Sequence, residues 1–101
     1  MQVSSTEKLP VYQVIGPKVR IHWNYTELPE TEDYPSGWSC EEACVAKTAD
    51  RASLISAIIR ARYTVDDEFA AINNGGEDYQ SLLDFRVEAK ALADGWLAAL
   101  A

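Results

Sequence analysis

The stretch PVYQVIGPKVRIHWNY, residues 10–25, decides the fold class. Its apolar residues recur with period two: Tyr12, Val14, Val19, Ile21, Trp23 and Tyr25 fall on one side if the chain reverses at Gly16-Pro17. Gly16 can take the positive φ that a tight primed turn asks of its first central residue, and Pro17 suits the second, where no ladder donor is needed. Pairing Ile15 with Lys18 sets Val14 beside Val19 and Tyr12 beside Ile21, which sends Gln13, Arg20, His22 and Asn24 to the other face. The segment therefore reads as a β-hairpin with one apolar face and one polar, partly basic face.

After the hairpin, residues 26–37 (TELPETEDYPSG) combine acid, two prolines and a glycine with little periodicity, the pattern of an exposed loop. WSCEEACVAK, residues 38–47, alternates Trp38, Cys40, Cys44 and Ala46 with its remaining residues and predicts a third strand. Glu42 interrupts that alternation, which places the strand at an edge or gives it a bulge.

From Thr48 the period becomes helical. Thr48 or Asp50 caps a first helix whose buried stripe is Leu54, Ile55, Ile58 and Ile59 before Tyr63. Thr64 starts a second, with Asp67 in the capping-box position and Val65, Phe69 and Ile72 expected to face inward. A long third helix follows the glycines, its seam running through Leu82, Phe85, Ala89, Leu92 and Trp96. The expectation is one α+β domain over 1–101: an N-terminal three-stranded antiparallel sheet in residues 10–47, acidic loop 26–37 included, packed against three C-terminal helices in residues 48–101.

Composition bounds the function. Among 101 residues, 48% are hydrophobic and 25% charged, an ordinary globular mixture, and no apolar run approaches the roughly 20 residues that a membrane span requires. The start has no basic region followed by an apolar core, so no secretory signal is expected and the protein is expected to begin near Met1. A net charge of −7, concentrated after residue 25, repels phosphate backbones and anionic bilayers, so neither nucleic acid nor membrane is expected as a partner.

The loop AAINNGGEDYQ, residues 70–80, invites a ligand, but Glu77 and Asp78 would repel a phosphate, and apolar residues interrupt any calcium-loop register. A plain structural account covers every residue: Asn74 or Gly75 ends the second helix in a left-handed conformation, and the two carboxylates complement the start of the third. Cys40 and Cys44 share a strand face but stand roughly 13 Å apart, beyond the reach of a common metal or of a disulfide, whose Cα atoms lie below about 7 Å. Both are expected to be reduced and largely buried, with no metal site and no cofactor. No nucleophile, base and orienter can be assembled around the single histidine, so no catalytic residue is nominated and no enzyme activity is expected.

Two candidate surfaces remain. EAKALADGWLAALA, residues 88–101, carries Leu97 and Leu100 beyond Gly95, a residue able to end a helix, and suggests a self-association or partner surface centred on Trp96, Leu97 and Leu100. In the competing account Trp96 closes the core and the last residues fray. The alternative surface is the polar face of Lys18, Arg20, His22 and Asn24, unless Arg20 is merely paired with Glu41 across the sheet.

The C-terminal half also carries Ile59, Tyr63, Glu68, Ala71 and Ile72, then Phe85, Arg86, Ala89 and Lys90, spaced as one helical unit, a loop and a second helix. Over about residues 54–96 this resembles small uncharacterised proteins of bacteriophages and prophages. The resemblance implies a genetic setting and no activity. Together these readings predict a non-enzymatic protein-interaction or structural accessory module, located inside the host cell, free or on the virion. The alternative is a small ligand-binding or regulatory domain using the basic sheet face.

Overall fold

A computed structural model describes residues 1–100. The class is α+β, and the chain divides into a sheet unit, Met1–Thr48, and a helical unit beginning at Ala49.

The sheet is antiparallel and has four strands, not three: β1 (Gln2–Ser5), β2 (Tyr12–Ile15), β3 (Lys18–Leu28) and β4 (Gly37–Ala46), in the order β1-β4-β3-β2. The β2–β3 hairpin has the register that alternation predicts, with Ile15 opposite Lys18, Val14 opposite Val19 and Tyr12 opposite Ile21. Gly16 supplies the positive φ, at 58°. The extra strand, β1, has the sequence QVSS, which carries no hydrophobic period. It is a strand because β4 offers it a ladder, with Val3 opposite Cys40 and Ser5 opposite Trp38. β3 also runs further than expected, through Thr26, Glu27 and Leu28, so the acidic connection shortens to residues 29–36.

The pairing of β3 with β4 slips between Trp23 and Thr26, and Asn24 sits at the slip with φ 55°. Asparagine is among the few non-glycine residues that tolerate this region. An extra residue in one strand inverts the alternation beyond it. Val19, Ile21 and Trp23 therefore share a buried face with Ala43, whereas Tyr25 departs from that face and reaches the opposite side.

In the helical unit, α1 (Arg51–Arg62) is capped by Asp50, whose carboxylate accepts from the Ser53 N–H at 2.8 Å, and buries Leu54 and Ile58. The capping box of α2 (Val65–Asn74) is formed in both directions between Thr64 and Asp67, each bond being 3.0 Å. Gly75 ends α2 with φ 65° and ψ −158°, a region that glycine alone occupies freely rather than the left-handed helical conformation expected there. The last helix, α3 (Gly76–Leu100), buries Leu82, Phe85, Ala89, Ala93 and Trp96, with Leu92 half-buried, and continues through Gly95 without a break. α1 and α3 are tied by Arg51, which donates to both Asp94 oxygens at 2.7 and 3.3 Å.

One expectation fails here. The stripe Val65, Phe69 and Ile72 faces solvent, with exposures of 51%, 60% and 45%. The residue that α2 buries is Ala71, a third of a turn away.

Candidate functional site

The polar sheet face does not assemble as a basic surface. Because β1 and β2 occupy opposite edges, residues 6–11 must cross the width of the sheet to join them. They cross on the side of His22. The Nδ1 of His22 lies 2.7 Å from the Pro10 carbonyl oxygen, the Tyr25 hydroxyl donates to the Leu9 carbonyl at 2.7 Å, and the Lys8 ammonium sits 4.7 Å from the Tyr25 ring centroid and 5.2 Å from that of Trp38. This crossing leaves His22 with 0% exposure. Burial also pushes the Tyr25 hydroxyl above its ordinary pKa, with the neighbouring Cys40 adding to the shift.

His22 is held on both ring nitrogens, since Nε2 stands 2.9 Å from the Glu42 Oε2. A carbonyl only accepts, so Nδ1 carries a hydrogen. The facing carboxylate accepts as well, so a hydrogen on Nε2 is shared with Oε2 when the imidazole is charged. Glu42, the residue that interrupts the alternation of β4, thus answers His22 on the polar side of β3, and the register sets them opposite each other. The interruption at Glu42 was the signal available in the sequence.

Asn24 leaves this face at the bulge and donates from Nδ2 to the Glu41 Oε2 at 3.0 Å. The expected pairing of Arg20 with Glu41 is not made: Arg20 lies opposite Cys44, and Glu41 opposite Trp23. Of the four proposed residues, Lys18 and Arg20 stay exposed, His22 is internal and Asn24 has changed sides.

The cysteines differ. Cys40 is buried, and that burial, reinforced by the Glu42 carboxylate, raises its thiol above the ordinary value and disfavours the reactive thiolate. Cys44 is exposed, contrary to the expectation of two buried thiols. Among the described residues no cluster of three or more His, Cys, Asp or Glu is arranged to hold a metal ion.

At the C-terminus Trp96 is buried, Leu97 is half-buried and Leu100 is exposed. Continuing α3 through Gly95 spreads these residues around a helix, so Trp96 turns to the buried seam while Leu100 faces solvent. Trp96 itself thus lies in the buried seam, and the exposed part of this segment is Leu100 with part of Leu97. Val65, Phe69 and Ile72 of α2 form a further exposed apolar group in the helical unit. Beside it Glu68 receives Arg60 at 2.6 Å and Arg86 at 3.2 Å. Partial burial would raise the Glu68 carboxyl, but hydrogen bonds from the two guanidinium groups, with their charges, outweigh that and hold it below the ordinary range.

Two clefts open on the described residues. One of about 290 Å³ is lined by Arg62, Tyr63, Asp67, Asn74 and Asp78 among others. Three of its polar side chains are engaged locally: Asp67 closes the capping box, and the Asn74 amide donates to Asp78 at 3.4 Å. The NNGG loop thus ends α2 through the Gly75 N–H, which donates to the Ala71 carbonyl at 3.1 Å, and links Asn74 to Asp78 in the first turn of α3. The other, about 420 Å³, lies at one end of the sheet and is lined by Ser4, Ser5, Thr6, Leu28, Tyr34, Pro35, Ser36 and Gly37.

No helix among the described residues is long and apolar enough to cross a membrane. No protein-family model, no curated protein and no solved structure matches the chain.

Proposed function

We propose that the chain is a non-enzymatic protein-interaction module whose helical unit docks a partner through the exposed face of α2. The observation that carries this reading is the stripe of Val65, Phe69 and Ile72 at i, i+4 and i+7, turned to solvent on a helix that is otherwise well capped. A phenylalanine held mostly in water forgoes the hydrophobic free energy that burial would supply, about 25 cal/mol for each Å² covered. Contiguous exposed apolar side chains of this kind mark contacts between proteins. A reading without catalysis is supported by the commitment of both nitrogens of the single histidine, His22, inside the sheet unit and by the raised thiol of the buried Cys40. The resemblance of residues 54–96 to small bacteriophage and prophage proteins supports a setting inside an infected or lysogenic bacterium, free or on the virion.

The test uses a photo-crosslinking amino acid at Asn73, on the rim of the stripe, in the full chain expressed in its native cells. A discrete covalent adduct is expected. The adduct should vanish with Phe69→Asp while circular dichroism and the unfolding midpoint stay as in the parent. An adduct indifferent to Phe69→Asp, or no adduct at all, would refute this reading.

A further inference from the structure

The two edges of the sheet are built differently. β2 is bracketed by Pro10 and Pro17 and followed by Lys18, features that discourage another strand from pairing there. β1, with the sequence QVSS, has neither charge nor proline. Met1 and Glu42 exchange backbone hydrogen bonds at 2.7 and 3.1 Å, so alternation along an antiparallel ladder directs the backbone groups of Val3 and Ser5 toward β4. Gln2 and Ser4 then turn their N–H and C=O groups out of the sheet. An unprotected edge of this kind accepts an extended segment by main-chain hydrogen bonding.

That edge runs into the 420 Å³ groove. Gly37 forms part of its floor, at a point where a Cβ would lie 2.6 Å from the Ser5 carbonyl oxygen, so a larger residue has no room. Leu28, Pro35 and Tyr34 supply apolar surface, and Tyr34 is 73% exposed. The wall is fixed by a closed turn in which the Thr31 N–H donates to the Tyr34 carbonyl at 2.8 Å and the Tyr34 N–H to the Thr31 hydroxyl at 3.1 Å. Glu32 and Asp33 occupy the centre of that turn and Glu30 precedes it. None of these three carboxylates makes an ion pair among the described residues.

We infer that the β1 edge and its adjoining groove form a docking site for a basic, extended segment of a partner protein. The outward groups of Gln2 and Ser4 pair with the segment's backbone. One aliphatic or aromatic side chain of the segment enters the groove against Leu28, Tyr34 and Pro35, and flanking lysines or arginines face Glu30, Glu32 and Asp33. The charge choice follows from the turn that carries Tyr34, where Glu30, Glu32 and Asp33 have no ion-pair partner among the described residues: an acidic segment would be repelled there and a basic one attracted. This site is separate from the α2 stripe, and the two are tested by different substitutions.

The experiment titrates the full chain with the peptide acetyl-RVKIKVR-amide and, as control, acetyl-EVEIEVE-amide, following backbone amide resonances. Binding of the basic peptide is expected, with shifts concentrated at Gln2, Ser4, Tyr34 and Gly37 and an affinity that falls as salt rises from about 50 mM to about 300 mM. Glu30→Gln, Glu32→Gln and Asp33→Asn combined should weaken binding about tenfold, as should Tyr34→Ala, while Phe69→Asp leaves it unchanged. Equal binding of the acidic peptide, shifts centred on α2, or no binding of the basic peptide at millimolar concentration would each overturn the inference.

Discussion

Replacing His22 by leucine probes the link between the crossing segment and the sheet. Leucine fills much of the space of a side chain with 0% exposure, so the cost of an empty cavity is small and the polar contacts dominate. Two contacts are lost, to the Pro10 carbonyl at 2.7 Å and to Glu42 at 2.9 Å. The Glu42 contact is charge-assisted, roughly 1.5–3 kcal/mol, and the groups left behind lose a partner where water has little access, Glu42 being 11% exposed. Together these place the destabilisation at about 3–5 kcal/mol, a large share of the roughly 5–15 kcal/mol that holds a domain folded.

Glu42→Gln separates proton sharing from shape. An amide can donate to the imidazole Nε2 while Nδ1 still donates to Pro10, so this variant should cost only about 1 kcal/mol. Glu42→Leu should approach the cost of His22→Leu, and the double replacement should cost well below the two combined, because each single change orphans the other partner. Urea titrations followed by tryptophan fluorescence and circular dichroism measure all four. A cost under about 1 kcal/mol for His22→Leu, or a Glu42→Gln variant as damaged as Glu42→Leu, would show that the His22–Glu42 contact does not hold the crossing segment to the sheet.

Further expectations follow from other sites. Because the folded-state Glu68 carboxyl lies below its ordinary value of 4.5, its contribution is fully present above that value and is lost as pH falls through the folded value. Thermal midpoints of Glu68→Gln, measured from neutral pH downward, should therefore converge on those of the parent in acid, and a constant difference would exclude the linkage. A thiol reagent should modify Cys44 rapidly and Cys40 only on unfolding; two equally fast thiols would contradict the burial of Cys40. Gly75→Ala should cost about 1–3 kcal/mol through backbone strain alone, since nothing lies within 4 Å of the added Cβ. Gly37→Ala should instead loosen β1, seen as faster amide exchange at Val3 and Ser5, because its Cβ meets the Ser5 carbonyl.

Much of this protein is local chemistry that residues 10–25 and 48–100 declare without help. The alternation on either side of Gly16-Pro17 determines the hairpin register, because a slip of one residue would exchange its two faces. Asp50, Thr64 with Asp67, and Gly75 mark helix ends by bonds that span only a few residues. What the tertiary structure alone decides is non-local. QVSS becomes a strand only because β4 presents it a ladder, and its presence at the far edge forces residues 6–11 across the sheet and seals His22 beneath them. Asn24 shows the same dependence: a single residue at φ 55° moves it and Tyr25 to opposite faces from those that alternation assigns. Val65, Phe69 and Ile72 lie on one side of α2 as their spacing requires, yet they face water while Ala71 is buried. Periodicity states which side chains share a face; which face is covered depends on the elements that pack against it, and those contacts join residues far apart in the chain.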